Sequence, residues 1–238
     1  MAIFDRYLSK ELDIESDLKE IYKHMIRLGM SALSHANWHS NYYSIENEMW
    51  SELSVLQAVH SAEILIKARI AQEHPLLIFE HVPKSTQVQH DELELQHLFE
   101  KAKTIQYGDL PERLWASTSL KIKNVDTFKK FGYLRNSIQH FASPRGIDCS
   151  KETIKFIYEV IDPFINECWG LYAIDFNEDH EPYTYLIEGL IQQEIMFLVS
   201  KEACEHLQYV TFNWPEDSEY KTLMKKRFHT MGFDINNI

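Results

Sequence analysis

An arginine, a neighbouring asparagine and a histidine five positions beyond the arginine stand together in Arg135-Asn136-Ser137-Ile138-Gln139-His140. A guanidinium binds phosphate oxygens through paired N–H donors, and an imidazole moves protons near neutral pH. Together they are a minimal kit for cleaving a phosphodiester that carries its own nucleophile. In RNA the 2′-hydroxyl attacks the adjacent phosphorus. One histidine takes its proton, and a second gives a proton to the leaving 5′-oxygen. Arginine meets the negative charge that develops on the way. Asn136 can orient His140 or bind a phosphate oxygen. The reaction requires no metal, and DNA lacks the nucleophile. The competing reading is a solvated helix face, since a bare R-x-x-x-x-H recurs by chance.

A helix must position these residues. Asp126 is a suitable N-cap for a helix reaching about Phe141. Phe128, Phe131, Leu134, Ile138 and Phe141 form its expected buried stripe. At about 100° per residue, Arg135 lies about 60° from the centre of that stripe. Gln139, Asn136, His140 and Tyr133 continue round the polar side. Arg135 and His140 are about 140° apart, so one copy does not aim both at one atom. Two such helices across a two-fold axis can bring four groups round a shared cleft. The spacing therefore points to a dimer.

Charge sets off the same stretch. The chain carries −12 overall, which argues against broad, nonspecific nucleic-acid binding. Between Arg113 and Lys155, however, Arg113, Lys121, Lys123, Lys129, Lys130, Arg135, Arg145, Lys151 and Lys155 face only Asp126, Asp148 and Glu152. Nine minus three gives this island +6 and leaves −18 for the remainder. A lysine-decorated helix face is the plain alternative. If RNA is the substrate, Lys129, Lys130, Gln139 and Arg145 are the candidate RNA-binding residues.

The rest of the chain also reads as helix. Candidate helices cover Glu15 to Leu33, Glu46 to Glu73 (with Ser44 as cap and Pro75 as stop), Asp91 to Ile105, and Ser150 towards Trp169, with Pro163 as a kink. Pro182 opens another through Leu186, Leu190 and Leu198, and a last one runs from about Asp217 to Met231 before Gly232. Trp38 to Tyr43 and Phe176 to Glu181 read as loops, and short β pieces are possible near Leu76 to Val82 or Gln208 to Phe212. Seven Gly and seven Pro in 238 residues argue against a turn-rich β-sandwich. Cys149, Cys168 and Cys204 form no pattern and read as reduced thiols in a cytoplasmic protein. The first residues lack a signal-peptide layout, and the longest apolar run, Ile195 to Val199, is too short to cross a membrane.

Other chemistry-bearing residues have simpler uses. Glu63 and Lys67 are spaced as a helical ion pair. His35 with His39, and Cys204 with His206, lack the further ligands of a metal site, so no metal and no cofactor is expected. His60 reads as a structural histidine among apolar neighbours. Trp38, Tyr42, Tyr43 and Trp50 could stack bases, but packing of the N-terminal helix is favoured. Lys225-Lys226-Arg227 matches the negative end of the last helix.

Within Phe131-Gly132-Tyr133-Leu134-Arg135-Asn136-Ser137-Ile138-Gln139-His140-Phe141 the chain resembles the HEPN family, whose members carry an arginine, a polar residue and then a histidine late in a helix. Gln57 to Arg69, followed by Glu73-His74-Pro75-Leu76-Leu77-Ile78-Phe79-Glu80, is similar to that family's early long helix and its exit. The similarity spans roughly Met49 to Trp169. It implies a HEPN-like helical bundle over 45–172; the helical extensions expected at 1–44 and 173–238 are not carried by it, and with them the expected fold is all-α. It also implies a homodimer and a metal-independent endoribonuclease of the toxin–antitoxin or antiphage-defence kind. Arg135 and His140 would then be catalytic, Asn136 would assist, and RNA would be the substrate, with an antitoxin or defence-system protein as a possible further partner. The alternative within the family is an inactive module that binds a nucleotide, an antitoxin or another protein. A helical scaffold whose Arg/His helix only seals a dimer is a third reading.

Overall fold

The computed structural model describes residues 18–85, 95–178, 183–207, 210–215 and 219–233. Over them the fold is all-α, as the helical periodicity predicts. The helices are α1 (Ile21–Asn41), α2 (Trp50–Glu73), α3 (Leu95–Lys101), α4 (Leu110–Thr118), α5 (Val125–His140), α6 (Cys149–Phe156), α7 (Asp162–Trp169), α8 (Thr184–Gln192), α9 (Lys201–Leu207) and α10 (Glu219–Thr230). A short antiparallel pair, β1 (Phe79–His81) with β2 (Lys103–Thr104), joins Phe79 to Thr104 and His81 to Lys103 across a register irregularity. No helix among the described residues is long and apolar enough to cross a membrane.

The chain forms two compact units, one from residues up to Met30 together with His60–Lys121, the other from Ser31–Val59 together with Ile122 onward. The first unit buries Met25, Ile26 and Met30 of α1 and Leu65, Ile66 and Ile70 of α2. Gly29 allows α1 and α2 to approach closely. A Cβ there would stand 2.6 Å from the Leu65 Cγ, and the Ser61 hydroxyl donates to the Gly29 carbonyl at 2.8 Å. Lys67 is buried and donates to Glu63 at 2.6 Å and to the Thr104 hydroxyl at 3.2 Å. The expected helical ion pair thus forms, and it also tethers β2.

The second unit contains α5. Phe131 stacks on Phe156 of α6 at 4.1 Å and 10°, with Phe128 beside them at 6.4 Å from Phe156. Beyond α6 the helical path widens into a π segment, Ile157–Ile161, before α7. Pro163 explains the widening, because it lacks an N–H and its ring crowds the carbonyl four residues back. That carbonyl, of Glu159, accepts instead from the Asn124 side chain at 3.1 Å. The Thr127 hydroxyl donates to the Glu159 carboxylate at 3.3 Å. The start of α5 is thereby fastened to the segment leading into α7.

Several boundaries differ from expectation. Trp38 to Asn41 belong to α1 rather than a loop. The buried Asn37 amide explains the broken apolar period: it donates to the Ala173 and Phe176 carbonyls and accepts from the Tyr158 hydroxyl. Ser44 accepts from the Glu46 and Asn47 amides in a turn, and α2 starts only at Trp50. Residues 102–105 leave the predicted helix because Lys103–Thr104 pair with β1, while α4 forms in a stretch for which the periodicity predicts no helix. Helix α6 starts at Cys149 rather than Ser150, capped by Asp148, and α5 begins at Val125 with Asp126 in its first turn rather than at its cap. Helix α8 stops at Gln192, since Glu194 takes a left-handed φ of 54°, so Leu198 lies outside it. Residues 15–17, 91–94, 179–182, 208–209 and 217 fall outside the described residues, and Val210 to Phe212 form no strand.

Candidate functional site

Helix α5 carries the Arg/Asn/His triplet on its last turns. Phe128, Phe131 and Leu134 are buried and seat the helix, while Asn136, Gln139 and His140 are exposed and Arg135 is half-buried. The Arg135 guanidinium donates to the Gln139 side chain at 3.1 Å, one turn along. Arg135, Asn136, Gln139 and His140 therefore occupy one continuous stretch of surface. The helix ends when Phe141 leaves helical geometry at φ −148°, its amide still bonded to the Ser137 carbonyl at 2.9 Å.

The buried stripe fades at this end. Ile138 is half-buried and Phe141 is 94% exposed, in contrast to the core positions expected for both. Tyr133 is 73% exposed on the same helix. Apolar periodicity reports a face that avoids water, and it does not distinguish a face covered by the chain's own core from one left open. Large apolar side chains thus flank the Arg/Asn/His surface.

After α5 the chain turns through Ser143, whose hydroxyl lies 3.3 Å from the Cys149 thiol, and Gly146, whose φ of +79° favours glycine. Asp148 then caps α6 by accepting from the Lys151 amide at 3.0 Å. The return path leaves a cleft of about 530 Å³ lined by residues of α5, the turn and α6. Lys130 lines it, together with Lys151 and Lys155, to which the sequence pattern assigns no role beyond membership of the basic island. Lys129 and Arg145 are exposed and do not line it. The signal that points to Lys151 and Lys155 is their i, i+4 spacing beside the α6 cap, but only the fold sets them opposite Lys130.

Elsewhere the competing signals resolve into structure. His35 bonds Glu178 at 3.0 Å and His39 bonds Gln57 at 2.9 Å, and burial pushes the His39 imidazole below its ordinary value. Among the described residues no group of three His, Cys, Asp or Glu side chains could hold a metal ion. Trp38 stacks on Tyr42 at 4.2 Å and Trp50 lies 4.7 Å from His39, while Tyr43 is exposed and outside this cluster. His60 is exposed rather than buried, since it falls on the open side of α2. Arg227 is half-buried and donates to the Phe197 carbonyl, so it anchors α10 instead of only matching its end charge. Burial pushes the Cys149 and Cys204 thiols up, Cys204 to about 11, which keeps both protonated and unreactive at neutral pH.

The second unit also holds two acidic residues that the sequence does not single out. Asp162 is fully buried, and its two oxygens accept from the Ala173 and Leu198 amides, both at 2.8 Å. Asp175 accepts from the Ser200 hydroxyl at 2.6 Å and the Tyr183 hydroxyl at 3.1 Å. Burial pushes Asp162 up to about 7 and Asp175 up to about 6, against the amide and hydroxyl donors that favour their charged forms. They join the chain after α7 to the segments before α9, well apart in sequence from the Arg/His helix, and their role is structural.

No family model, no curated protein and no solved structure matches the chain.

Proposed function

We propose that the protein is a metal-independent endoribonuclease of the HEPN type, acting as a homodimer in a toxin–antitoxin or antiphage-defence setting in the cytoplasm. The observation that carries this reading is the surface formed by Arg135, Asn136 and His140 at the exposed end of α5, flanked by Phe141 and Tyr133. Apolar side chains in such a position suit contact with a second copy, which would add its own arginine and histidine.

In the proposed reaction the RNA 2′-oxygen forms a bond to phosphorus as the bond from phosphorus to the 5′-oxygen breaks. His140 of one copy takes the 2′-hydroxyl proton, and His140 of the second copy protonates the leaving oxygen. The two Arg135 guanidinium groups bind the non-bridging oxygens, where charge accumulates. Arg135 has to release Gln139 or share it to do so. Asn136 steadies the imidazole or a phosphate oxygen. The products are a 2′,3′-cyclic phosphate and a free 5′-hydroxyl, and neither EDTA nor added divalent ions should alter the rate. Incubation of RNA with the wild type beside His140→Ala tests the proposal.

A second reading rests on the Arg135–Gln139 hydrogen bond. An arginine held by a neighbour on its own helix also suits an inactive HEPN-like module that binds a nucleotide, an antitoxin or another protein. A dimer that cleaves no RNA yet loses its ligand on Arg135→Ala would favour it.

A further inference from the structure

We infer that the cleft between α5 and α6 is a binding subsite for the phosphate backbone of single-stranded RNA, held by Lys130, Lys151 and Lys155. The inference rests on the proposed action on RNA and adds a place where the strand is gripped away from the bond that breaks.

Three observations carry it. First, the cleft brings together three lysines from two helices, and none of them forms an ion pair with another described residue. Lys151 and Lys155 are spaced i, i+4, an arrangement in which like charges on a helix repel. Lys130 adds a third charge from the facing helix. A bound anion relieves that repulsion. Second, the cleft's two carboxylates leave the lysines in excess. Asp148 is committed to the α6 cap, so Glu152 is the one acidic side chain there without that duty. Third, the rest of the lining is Thr127, the buried Phe131 and Leu134, and Gly146 and Ile147 of the turn. The cationic groups among these lining residues are therefore ammonium groups, with no guanidinium fork to impose a direction. Lysine binds phosphate as a point charge and tolerates varied geometry, which suits a flexible backbone rather than one base.

The subsite shares α5 with the Arg/Asn/His surface. Lys130 precedes His140 by ten residues, which is roughly 15 Å along the helix axis. A strand seated in the cleft can thus run along the same helix to His140.

The test uses full-length protein carrying His140→Ala, so that RNA is bound without cleavage, and a fluorescent single-stranded oligoribonucleotide read by anisotropy over a salt series. Adding Lys151→Ala and Lys155→Ala should weaken binding about fivefold or more and flatten the log–log salt slope by about 0.7 for each phosphate no longer neutralised. Adding Lys201→Ala and Lys226→Ala instead removes the same charge from other helices and should change binding by less than about twofold. Equal weakening by both pairs, no weakening by the cleft pair, or no RNA binding at all would overturn the inference. The catalytic reading is judged separately, by cleavage with an unsubstituted His140. An inert wild type whose RNA binding still depends on the cleft lysines would sink catalysis and leave the subsite standing. An active wild type with unchanged binding in the cleft variants would do the reverse.

Discussion

Asp162 shows how a single buried carboxyl ties the second unit to solution pH. Its oxygens receive two backbone amides, yet burial dominates and pushes it up to about 7. An unfolded aspartate titrates near about 3.9, so between these values the folded chain keeps a proton that the unfolded chain has lost. The group's stabilising contribution is therefore complete below about pH 4 and is lost as pH rises through about 7, by a few kcal/mol at most. Asp175, pushed up to about 6, acts in the same direction over a narrower window. Denaturant unfolding at pH 5 and pH 7.5 should show this difference in the wild type. Asp162→Asn should shrink the difference, because the amide does not titrate. An identical pH dependence in both proteins would show that Asp162 is charged throughout. At this same scale the Arg135, Asn136 and His140 surface was legible in the sequence, because all three sit within two turns of one helix. The lysine cleft was not, because Lys151 and Lys155 reach it from a second helix whose direction depends on the turn at Gly146 and the Asp148 cap.

Among the elements, the α1–α2 crossing depends most clearly on one residue. Gly29 leaves room for Leu65, and a methyl group there would overlap a fully buried side chain. Gly29→Ala should destabilise the protein by about 1–3 kcal/mol, despite alanine's better helix propensity, as read from a denaturation midpoint. An unchanged or higher midpoint would contradict that packing. Helix existence was the legible part of this fold, since α2, α5 and α10 carry apolar residues at helical spacing between clear stops. What stayed hidden were places where buried polar groups or non-local pairing decide. Asn37 interrupts the apolar period of α1 and is nevertheless buried through three hydrogen bonds. The β1–β2 pairing ends α3 early, and nothing local to residues 102–105 announces the partner strand. The π segment before Pro163 likewise becomes intelligible only once Asn124 is seen to take up the Glu159 carbonyl.

For the whole molecule, the proposed ribonuclease requires two copies. The exposed Phe141 side chain is central to that requirement, since the sequence pattern places it inward and the fold leaves it open. Light scattering should find a dimer at micromolar concentration, and Phe141→Asp should shift it to monomer with unchanged helical content. A monomeric wild type would remove the composite site. An acidic protein of net charge −12 can still admit RNA at such a site, because Lys129, Lys130 and Arg135 of α5 and Lys151 and Lys155 of α6 concentrate positive charge on the two helices there. The decisive measurement is cleavage of RNA by the wild type beside His140→Ala, in EDTA, with the product ends identified. A composite Arg135/His140 site predicts 2′,3′-cyclic phosphate and 5′-hydroxyl ends from the wild type, a loss of at least about a hundredfold in His140→Ala, and the same melting temperature for both. Equal cleavage by both proteins, or no cleavage by a dimeric wild type on any RNA, would contradict it.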